Sequence, residues 1–349
     1  MGSKARIAYW DNWKGFAIIA VVAIHATNNT IFFPVGSFNW LFGIGFRQVV
    51  DFAVPIFLGM AGYFSAGSLN EKPLAFVKKR LVYIIFPYIL FTSIYLLLKS
   101  RYQVPSWEWF AEGFYLGKGI GIGYFVIVLI QFIFLTLIYN KIENKKTHIY
   151  VMVFGTLLGA AFTYFFYANN SILTFSKFPY NAIFFFVWYP FYHLGYFFAR
   201  YDVRLRIEKI KLEVLLFLLF VSVFVAFIEG LYWSYIKDNY SFGMSQVKIS
   251  SFFVSLILFL MIINLNKSKG FLADNNVLTW LGRRSYAIYL IHLLFLYRLQ
   301  SVLKGVNWLY EMQPFFILMS IVLAIGASMV SIFIVEKIFP NKIHRYALG

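Results

Sequence analysis

Three ionisable side chains lie at the start of the first apolar stretch or within it: Asp11, Lys14 and His25 in DNWKGFAIIAVVAIHATNN. On an α-helix, Lys14 and His25 would lie about 20° apart in azimuth and roughly 16 Å apart along the axis, so they would share one face. A neutral imidazole can take and return a proton near neutral pH, which makes His25 a candidate general base. The alternative is a structural histidine that hydrogen-bonds across helices. Asp11 and Lys14 are close enough to interact, although an ion pair at the helix rim explains them equally well.

Two polar side chains in other apolar segments are candidates for the same site. Asp51 is expected about one turn after the start of the second segment, where it would approach His25 from an antiparallel helix and orient the imidazole. Asp11 cannot do so, because it would lie about 21 Å from His25 along a straight helix. An ion pair between Asp51 and Arg47 is the alternative. Gln131 falls near the middle of the fourth segment, where its amide either contacts a substrate hydroxyl or bridges helices.

The remaining polar and aromatic candidates have simpler explanations. Trp107 and Trp109, in the longest outer loop, would either stack on a sugar ring or anchor the loop at the membrane surface. His193 and His292 are expected nearer the cytoplasmic end, and a structural role explains either. The sequence contains no cysteine, no HExxH and no GxSxG. It therefore predicts no metal site, thiolate nucleophile or serine hydrolase elbow.

These residues must be positioned by membrane-spanning helices. The chain has 349 residues, of which 61% are hydrophobic and 13% charged, well above the apolar share of about 45–50% in soluble proteins. About ten segments are long enough to cross a bilayer core of about 30 Å. The sequence therefore predicts an all-α, polytopic integral membrane protein with a single domain over residues 1–349. The segments lie near 13–33, 47–67, 81–99, 121–140, 147–167, 180–199, 212–235, 247–266, 285–303 and 314–336.

The strongly basic net charge of +17 is explained by membrane topology. Most of the Lys and Arg residues fall in alternate loops, whereas the opposite loops hold few, Arg47 and Lys248 among them. Positive charge accumulates on the cytoplasmic side of membrane proteins, so both termini are expected in the cytoplasm. The predicted partner is the lipid bilayer, and no nucleic-acid partner is required.

The pattern of Asp11, Lys14 and His25 resembles the first helix of the integral-membrane acyltransferase-three family, which carries Asp, then Arg or Lys, then ten residues and His. Further matches are VDFAVPIFLGMAGYFSAG, FVKKRLVYIIFPYI and WLGRRSYAIYLIH, which extend over much of the chain. The stretches GYFVIVLIQFIFLTLIY and YHLGYFFAR also look like the branch that modifies the intercellular adhesin polysaccharide of staphylococcal biofilms.

The resemblance implies ten spans in the bacterial cytoplasmic membrane and transfer of an acyl group from acyl-coenzyme A to a glycan. The donor would be acetyl- or succinyl-coenzyme A, and no permanently bound cofactor is implied. The catalytic histidine would be His25, and the donor site would include Lys14 beside Asp11. Arg80 matches the first residue of an Arg-x-x-Arg pair in the family. The second position is Tyr83, which lacks the charge and leaves the donor contacts on that side open.

Two other classes of function remain as alternatives. A polysaccharide exporter or flippase would use the buried polar groups to line a sugar path. A membrane scaffold for a glycan synthase would need neither Lys14 nor His25 for chemistry.

Overall fold

The computed structural model describes residues 3–70, 72–101, 106–169, 173–265, 276–340 and 348. Within these ranges the regular structure is helical and contains no strand, and short 3₁₀ and π-helical segments extend several of the helices. The α-helices in chain order are α1 (Ser3–Ala26), α2 (Phe38–Val50), α3 (Ala53–Ser65), α4 (Pro73–Lys99), α5 (Trp107–Tyr115), α6 (Tyr124–Lys141), α7 (Lys145–Phe162), α8 (Tyr189–Arg200), α9 (Arg204–Ile207), α10 (Leu212–Leu231), α11 (Tyr240–Gly243), α12 (Ile249–Leu265), α13 (Asn276–Arg283), α14 (Ser285–Leu303), α15 (Asn307–Glu311) and α16 (Gln313–Ile338).

Eight helical segments of the described chain are long and apolar enough to cross a membrane, so the predicted all-α polytopic architecture is confirmed. The expected number of ten crossings and the cytoplasmic termini stay predictions. The eight segments are Ala8–Phe32, Phe38–Ser68, Pro73–Lys99, Tyr124–Lys141, Lys145–Ala168, Leu212–Ile236, Ser285–Leu303 and Gln313–Ile338.

Two of the predicted spans are shorter than expected. The α-helix expected over 180–199 begins only at Tyr189, after turns and a 3₁₀ segment at Phe185–Trp188. The 12 residues of α8 extend about 18 Å, which is less than the thickness of the bilayer core. Near 247–266, α12 has 17 residues. The irregular stretch before α8 is tolerated because Gln131 hydrogen-bonds its backbone at Ile183 and Phe185, as backbone polar groups in an apolar medium require.

Two cations assigned to outer loops lie inside the protein instead. Arg47 is in the middle of a long helical segment, because α2 begins at Phe38 rather than near residue 47. Lys248 is fully buried. A buried cation is tolerated when a carboxylate and backbone carbonyls surround it, and Asp51 and Ser245 supply these groups here. The outer loops therefore hold two fewer cations than predicted, and the charge bias between alternate loops is stronger.

The chain divides into two compact units, and the division falls within α3. The first unit comprises residues 1–56 and 205–340. Here α1 packs against α13, α14 and α16, and α10 packs against α2 and α12. One apolar cluster of this unit centres on Trp40, Ile44 and Met244.

The second unit comprises residues 57–204 and 341–349. In this unit α4 packs on α6, and α7 packs on α8. The contact between α4 and α6 is apolar and centres on Phe76, Val77 and Ile133.

Candidate functional site

His25 lies in the last turn of α1, immediately before the 3₁₀ segment Thr27–Phe32. The residues on each side, Ile24 and Ala26, are buried, whereas His25 keeps part of its surface open. Its ring faces that of His292 on α14, with 5.5 Å between the centroids and an angle of 40° between the planes. His25 is therefore less enclosed than the residues on each side of it.

The backbone on each side of His25 is fixed by side chains from other helices. The Ile24 carbonyl accepts a hydrogen bond from Arg47 Nη1 at 2.9 Å and another from the Thr27 hydroxyl at 2.7 Å. The Ala26 carbonyl accepts one from Gln300 Nε2 at 3.0 Å. Arg47 lies on α2 and Gln300 on α14, so both helices attach to the end of α1 at these carbonyls. This attachment limits the positions that the imidazole can take.

Asp51 pairs with Arg47 rather than with His25. Arg47 Nε donates to Asp51 Oδ1 at 3.0 Å, and Arg47 Nη2 donates to the Met244 carbonyl at 2.7 Å. Among the described residues no hydrogen bond joins Asp51 to His25, and Asp51 Oδ2 has no partner. The physical reason is the early start of α2, which places Asp51 after the 13 residues of that helix rather than one turn into the span. The alternative pair with Arg47 is therefore present, but it is buried instead of interfacial.

A second buried cation accompanies that pair. Lys248 is 0% exposed, donates from Nζ to the Ser245 carbonyl at 2.7 Å, and interacts electrostatically with Asp51 and Glu229. Arg47, Asp51 and Lys248 form what we call the buried ion cluster. It connects α2 to the turn before α12, and through the Ile24 carbonyl it reaches the residue preceding His25.

In the first half of α1, the Asp11 carboxylate pairs with two basic side chains. Its carboxylate accepts from Lys14 Nζ at 3.2 Å and from Arg283 Nε at 3.2 Å. The Asp11 side chain is buried, whereas the Lys14 and Arg283 side chains are 31% and 59% exposed. The expected interaction of Asp11 with Lys14 is therefore present, and Arg283 on α13 adds a second positive charge. We call Asp11, Lys14 and Arg283 the basic cluster.

The basic cluster depends on a close approach of α1 and α13. A Cβ at Gly282 would collide with the Asp11 backbone carbonyl, and a Cβ at Gly15 would collide with the Leu278 carbonyl. Glycine at these positions therefore lets the two backbones touch and brings Arg283 to Asp11. Because α1 is continuous from Ser3 to Ala26, Lys14 and His25 lie on one face, roughly 16 Å apart along the axis.

The other predicted site residues belong to the second unit. Arg80 is partly exposed on α4, with its guanidinium over the Phe76 ring at 5.7 Å. Gln131 donates to the Ile183 carbonyl at 2.8 Å and accepts from the Phe185 amide at 3.0 Å. These bonds favour the bridging role for Gln131 over a substrate contact.

The two tryptophans of the outer loop belong to α5. Trp107 is 82% exposed and stacks on Phe110, with 6.2 Å between the ring centroids. Trp109 is partly buried, and its backbone amide donates to the capping Ser106 hydroxyl. An exposed aromatic surface of this kind suits either a membrane interface or a sugar ring, so both predictions stay open.

The sequence did not single out three residues of the site: Arg283, Gln300 and Lys248. Arg283 lies in WLGRRSYAIYLIH, and the glycine before it is the signal of a close helix approach. His292 belongs to the same stretch and was interpreted as structural. No comparable signal marks Gln300 or Lys248, because a single polar residue in an apolar segment does not identify its partner. In the described ranges no group of three His, Cys, Asp or Glu residues is arranged to hold a metal ion.

The acyltransferase-3 family profile, described as "Acyltransferase domain", matches residues 7–334. The chain is similar to proteins named "Probable poly-beta-1,6-N-acetyl-D-glucosamine export protein" from Staphylococcus aureus strains MRSA252, MSSA476 and MW2. Each is 27% identical over 204 residues, which cover 56% of this chain and 57% of the relative. The chain thus spans just over half the length of these curated relatives. No solved structure matches it.

Proposed function

Because this multi-pass bacterial membrane protein belongs to the acyltransferase-3 family, we propose that it transfers an acetyl or succinyl group from acyl-coenzyme A to a polysaccharide hydroxyl. The acceptor is an extracellular or lipid-linked glycan. The family profile supports an acyltransferase. The relatives' names concern export of an N-acetylglucosamine polymer, which supports a glycan as the acceptor.

The donor binds at the basic cluster. Coenzyme A carries phosphates, and an ammonium and a guanidinium form strong, charge-assisted hydrogen bonds to phosphate oxygens. Lys14 and Arg283 are both partly exposed, and each contacts the carboxylate of Asp11. Two cations and one carboxylate make up this cluster, a composition suited to an anionic ligand. From there the long pantetheine arm carries the thioester along the face of α1 toward His25.

Acyl transfer takes place at His25. The imidazole removes the proton of an acceptor hydroxyl, whose oxygen attacks the thioester carbonyl carbon. The carbon–sulfur bond breaks, and the coenzyme A thiolate leaves and takes up the proton from the imidazolium. In the variant with a covalent intermediate, the imidazole nitrogen attacks the thioester carbonyl carbon, the carbon–sulfur bond breaks and the thiolate leaves. The acceptor hydroxyl oxygen then attacks the acyl carbon, the carbon–nitrogen bond breaks, and the hydroxyl proton passes to the thiolate.

One observation carries the proposal: a continuous helix presents a partly open lysine and a partly open histidine on one face, and the backbone at the histidine is attached to two other helices. A fixed base at a set distance from an anion site is what transfer from a long phosphorylated donor requires. A scaffold would require neither feature.

The second candidate function is glycan export, which is favoured by the names of the relatives. In an exporter, the buried polar groups would contact sugars in passage, and no acyl donor would be consumed. Loss of one imidazole would then reduce transport only moderately.

The test uses purified protein in lipid nanodiscs with radiolabelled acetyl-coenzyme A or succinyl-coenzyme A, and N-acetylglucosamine oligosaccharides as acceptor. Wild type is compared with His25→Gln and with the control His148→Gln. His148 is a buried histidine of the second unit, where it hydrogen-bonds His193 and the Ile142 carbonyl. We expect label on the glycan with wild type and the control, and at least a 100-fold lower rate with His25→Gln.

Two results would contradict the proposal. Equal transfer by wild type and His25→Gln would remove His25 from the reaction. No transfer from either donor, together with oligosaccharide uptake into proteoliposomes that His25→Gln retains, would favour the exporter.

A further inference from the structure

His292 is a buried histidine beside His25 that the mechanism above does not use. It lies on α14 and is 0% exposed, whereas His25 is partly open. The ring centroids are 5.5 Å apart. His25 is therefore the more exposed of the two histidines, and His292 is enclosed in the protein interior.

The hydrogen bonds of His292 determine its tautomer. Nδ1 lies 3.0 Å from the Ile288 carbonyl and 2.8 Å from the Tyr289 carbonyl. Carbonyl oxygens only accept, so the proton must be on Nδ1. A second proton on Nε2 would create a buried charge whose N–H had no acceptor, which is unfavourable. His292 is therefore neutral, and Nε2 carries a lone pair.

That lone pair has no hydrogen-bond donor within the part of the chain that the structure describes. A buried acceptor without a donor loses its bonds to water and gains none in return. The N–H of the His25 ring is the suitable donor, because a neutral imidazole has one nitrogen that donates and one that accepts. Hydrogen bonds of catalytic groups are often long in a ligand-free protein and shorten when substrate binds.

The charged residues Arg47 and Asp51 do not provide this acceptor for His25. Arg47 interacts electrostatically with His25, but a guanidinium only donates. Asp51 is the natural candidate for an orienting acid, but among the described residues its carboxylate bonds Arg47 through Oδ1 and makes no hydrogen bond to His25.

We propose that His292 Nε2 accepts a hydrogen bond from the His25 N–H and so orients and activates His25. This inference rests on the proposed function of His25 as base or acyl carrier. With one His25 nitrogen bonded to His292, the lone pair of the other faces the open side. When His25 takes the hydroxyl proton, both its nitrogens donate, and the resulting imidazolium keeps its bond to His292. His292 neither gains nor loses a proton in the reaction, so it is a positioning residue.

The arrangement of α1 and α14 supports this pairing. Gln300 on α14 donates to the Ala26 carbonyl, one residue after His25. The two helices are therefore joined beside the two rings, and the separation of the imidazoles is set by a contact that does not involve either ring.

The first test compares His292→Phe, which fills the space but has no acceptor, with His292→Gln, which keeps a carbonyl acceptor. Transfer of labelled acetyl is measured in nanodiscs over a range of acetyl-coenzyme A concentrations. We expect kcat to fall about 100-fold in His292→Phe and by a smaller factor in His292→Gln, with KM for the donor changed less than about twofold. His148→Phe is the matched control, because it removes a buried, hydrogen-bonded imidazole of the second unit.

The second test does not depend on acyl transfer. Diethyl pyrocarbonate reacts with unprotonated imidazole, and mass spectrometry reports the rate at His25 alone. We expect His25 to react several-fold more slowly in His292→Phe than in wild type, and at a rate close to that of wild type in His292→Gln. If no variant transfers acetyl but this difference is present, the proposed function fails and the pairing stands.

Two outcomes would overturn the pairing. One is an active wild type whose kcat and His25 reactivity are unchanged in both His292→Phe and His292→Gln. The other is an equal loss in the phenylalanine and glutamine variants, accompanied by the same loss in His148→Phe, which would indicate a general effect of removing a buried histidine.

Discussion

Replacing Arg47 by methionine is expected to destabilise the first unit and to slow acyl transfer, for two different reasons. Asp51 is 1% exposed, and methionine leaves its carboxylate buried without the Arg47 guanidinium. Removal of one partner of a buried ion pair costs about 3–5 kcal/mol of unfolding free energy. The Met244 carbonyl also loses its bond from Arg47, at about 1 kcal/mol, whereas the Ile24 carbonyl loses one of two donors and keeps the Thr27 hydroxyl.

A double variant, Arg47→Met with Asp51→Leu, separates these two effects. It removes the unpaired carboxylate, and replacement of a whole buried pair by apolar side chains is often close to neutral. Lys248 retains its bond to the Ser245 carbonyl and its attraction to Glu229. We therefore expect the unfolding free energy of the double variant to return to within about 2 kcal/mol of wild type. Transfer should stay at least about tenfold slower, because α2 no longer fixes the backbone beside His25.

The measurement is denaturant-induced unfolding in mixed micelles, followed by tryptophan fluorescence, together with the acetyl-transfer assay in nanodiscs. Asp51→Asn is the control, because its amide oxygen still accepts from Arg47 and leaves the bond to the Ile24 carbonyl in place. A single Arg47→Met variant as stable as wild type would refute the assignment of a buried pair. A double variant with both stability and transfer rate restored would refute the role of Arg47 at His25.

Three further predictions concern the donor site and the irregular segment. Gly282→Ala should separate α1 from α13, raise KM for acetyl-coenzyme A and lower the unfolding free energy by about 1–3 kcal/mol. In the control Gly326→Ala, where a Cβ meets nothing within 4 Å, KM should not rise and the unfolding free energy should not fall. Lys14→Gln and Arg283→Gln should each raise that KM about tenfold, and an unchanged KM in titrations with both variants would place the phosphates elsewhere. Gln131→Leu should lower the unfolding free energy by about 2–3 kcal/mol, since two buried backbone groups lose their partners; a stable variant with a raised acceptor KM would instead indicate a substrate contact.

The interior of the first helix could be predicted from the sequence, although α1 begins at Ser3 and not near residue 13. Its apolar run, the spacing of Lys14 and His25 and the pair of Lys14 with Asp11 are local, and helix geometry relates them directly. The structure agrees, because α1 is continuous and the Asp11–Lys14 pair is present. What the sequence could not supply is Arg283, whose place beside Asp11 depends on two glycines in helices far apart in the chain.

Asp51 illustrates why the rest was harder to predict. A charged residue usually ends a predicted span, so the sequence pattern predicts Arg47 in an outer loop and the start of the second span beside it. Arg47 lies instead within the helical segment, because Asp51 and two backbone carbonyls surround its guanidinium. The energy of a buried charge depends on such partners, and partners that are distant in sequence are not visible in a hydropathy pattern. The same reasoning applies to Lys248.

The position of His25 at the end of α1 has a consequence for how a membrane protein can hold a catalytic base. In the middle of a helix, the backbone carbonyls are bonded within the helix and offer few attachment points. At the last turn of α1 the backbone changes from α-helical to 3₁₀ geometry, and its carbonyls are reached by side chains of other helices. Arg47, Thr27 and Gln300 satisfy the carbonyls on both sides of His25. These hydrogen bonds fix the backbone that carries the imidazole. Variants at Arg47 or Gln300 should therefore slow transfer, although these side chains bind the backbone and not the donor or the acceptor.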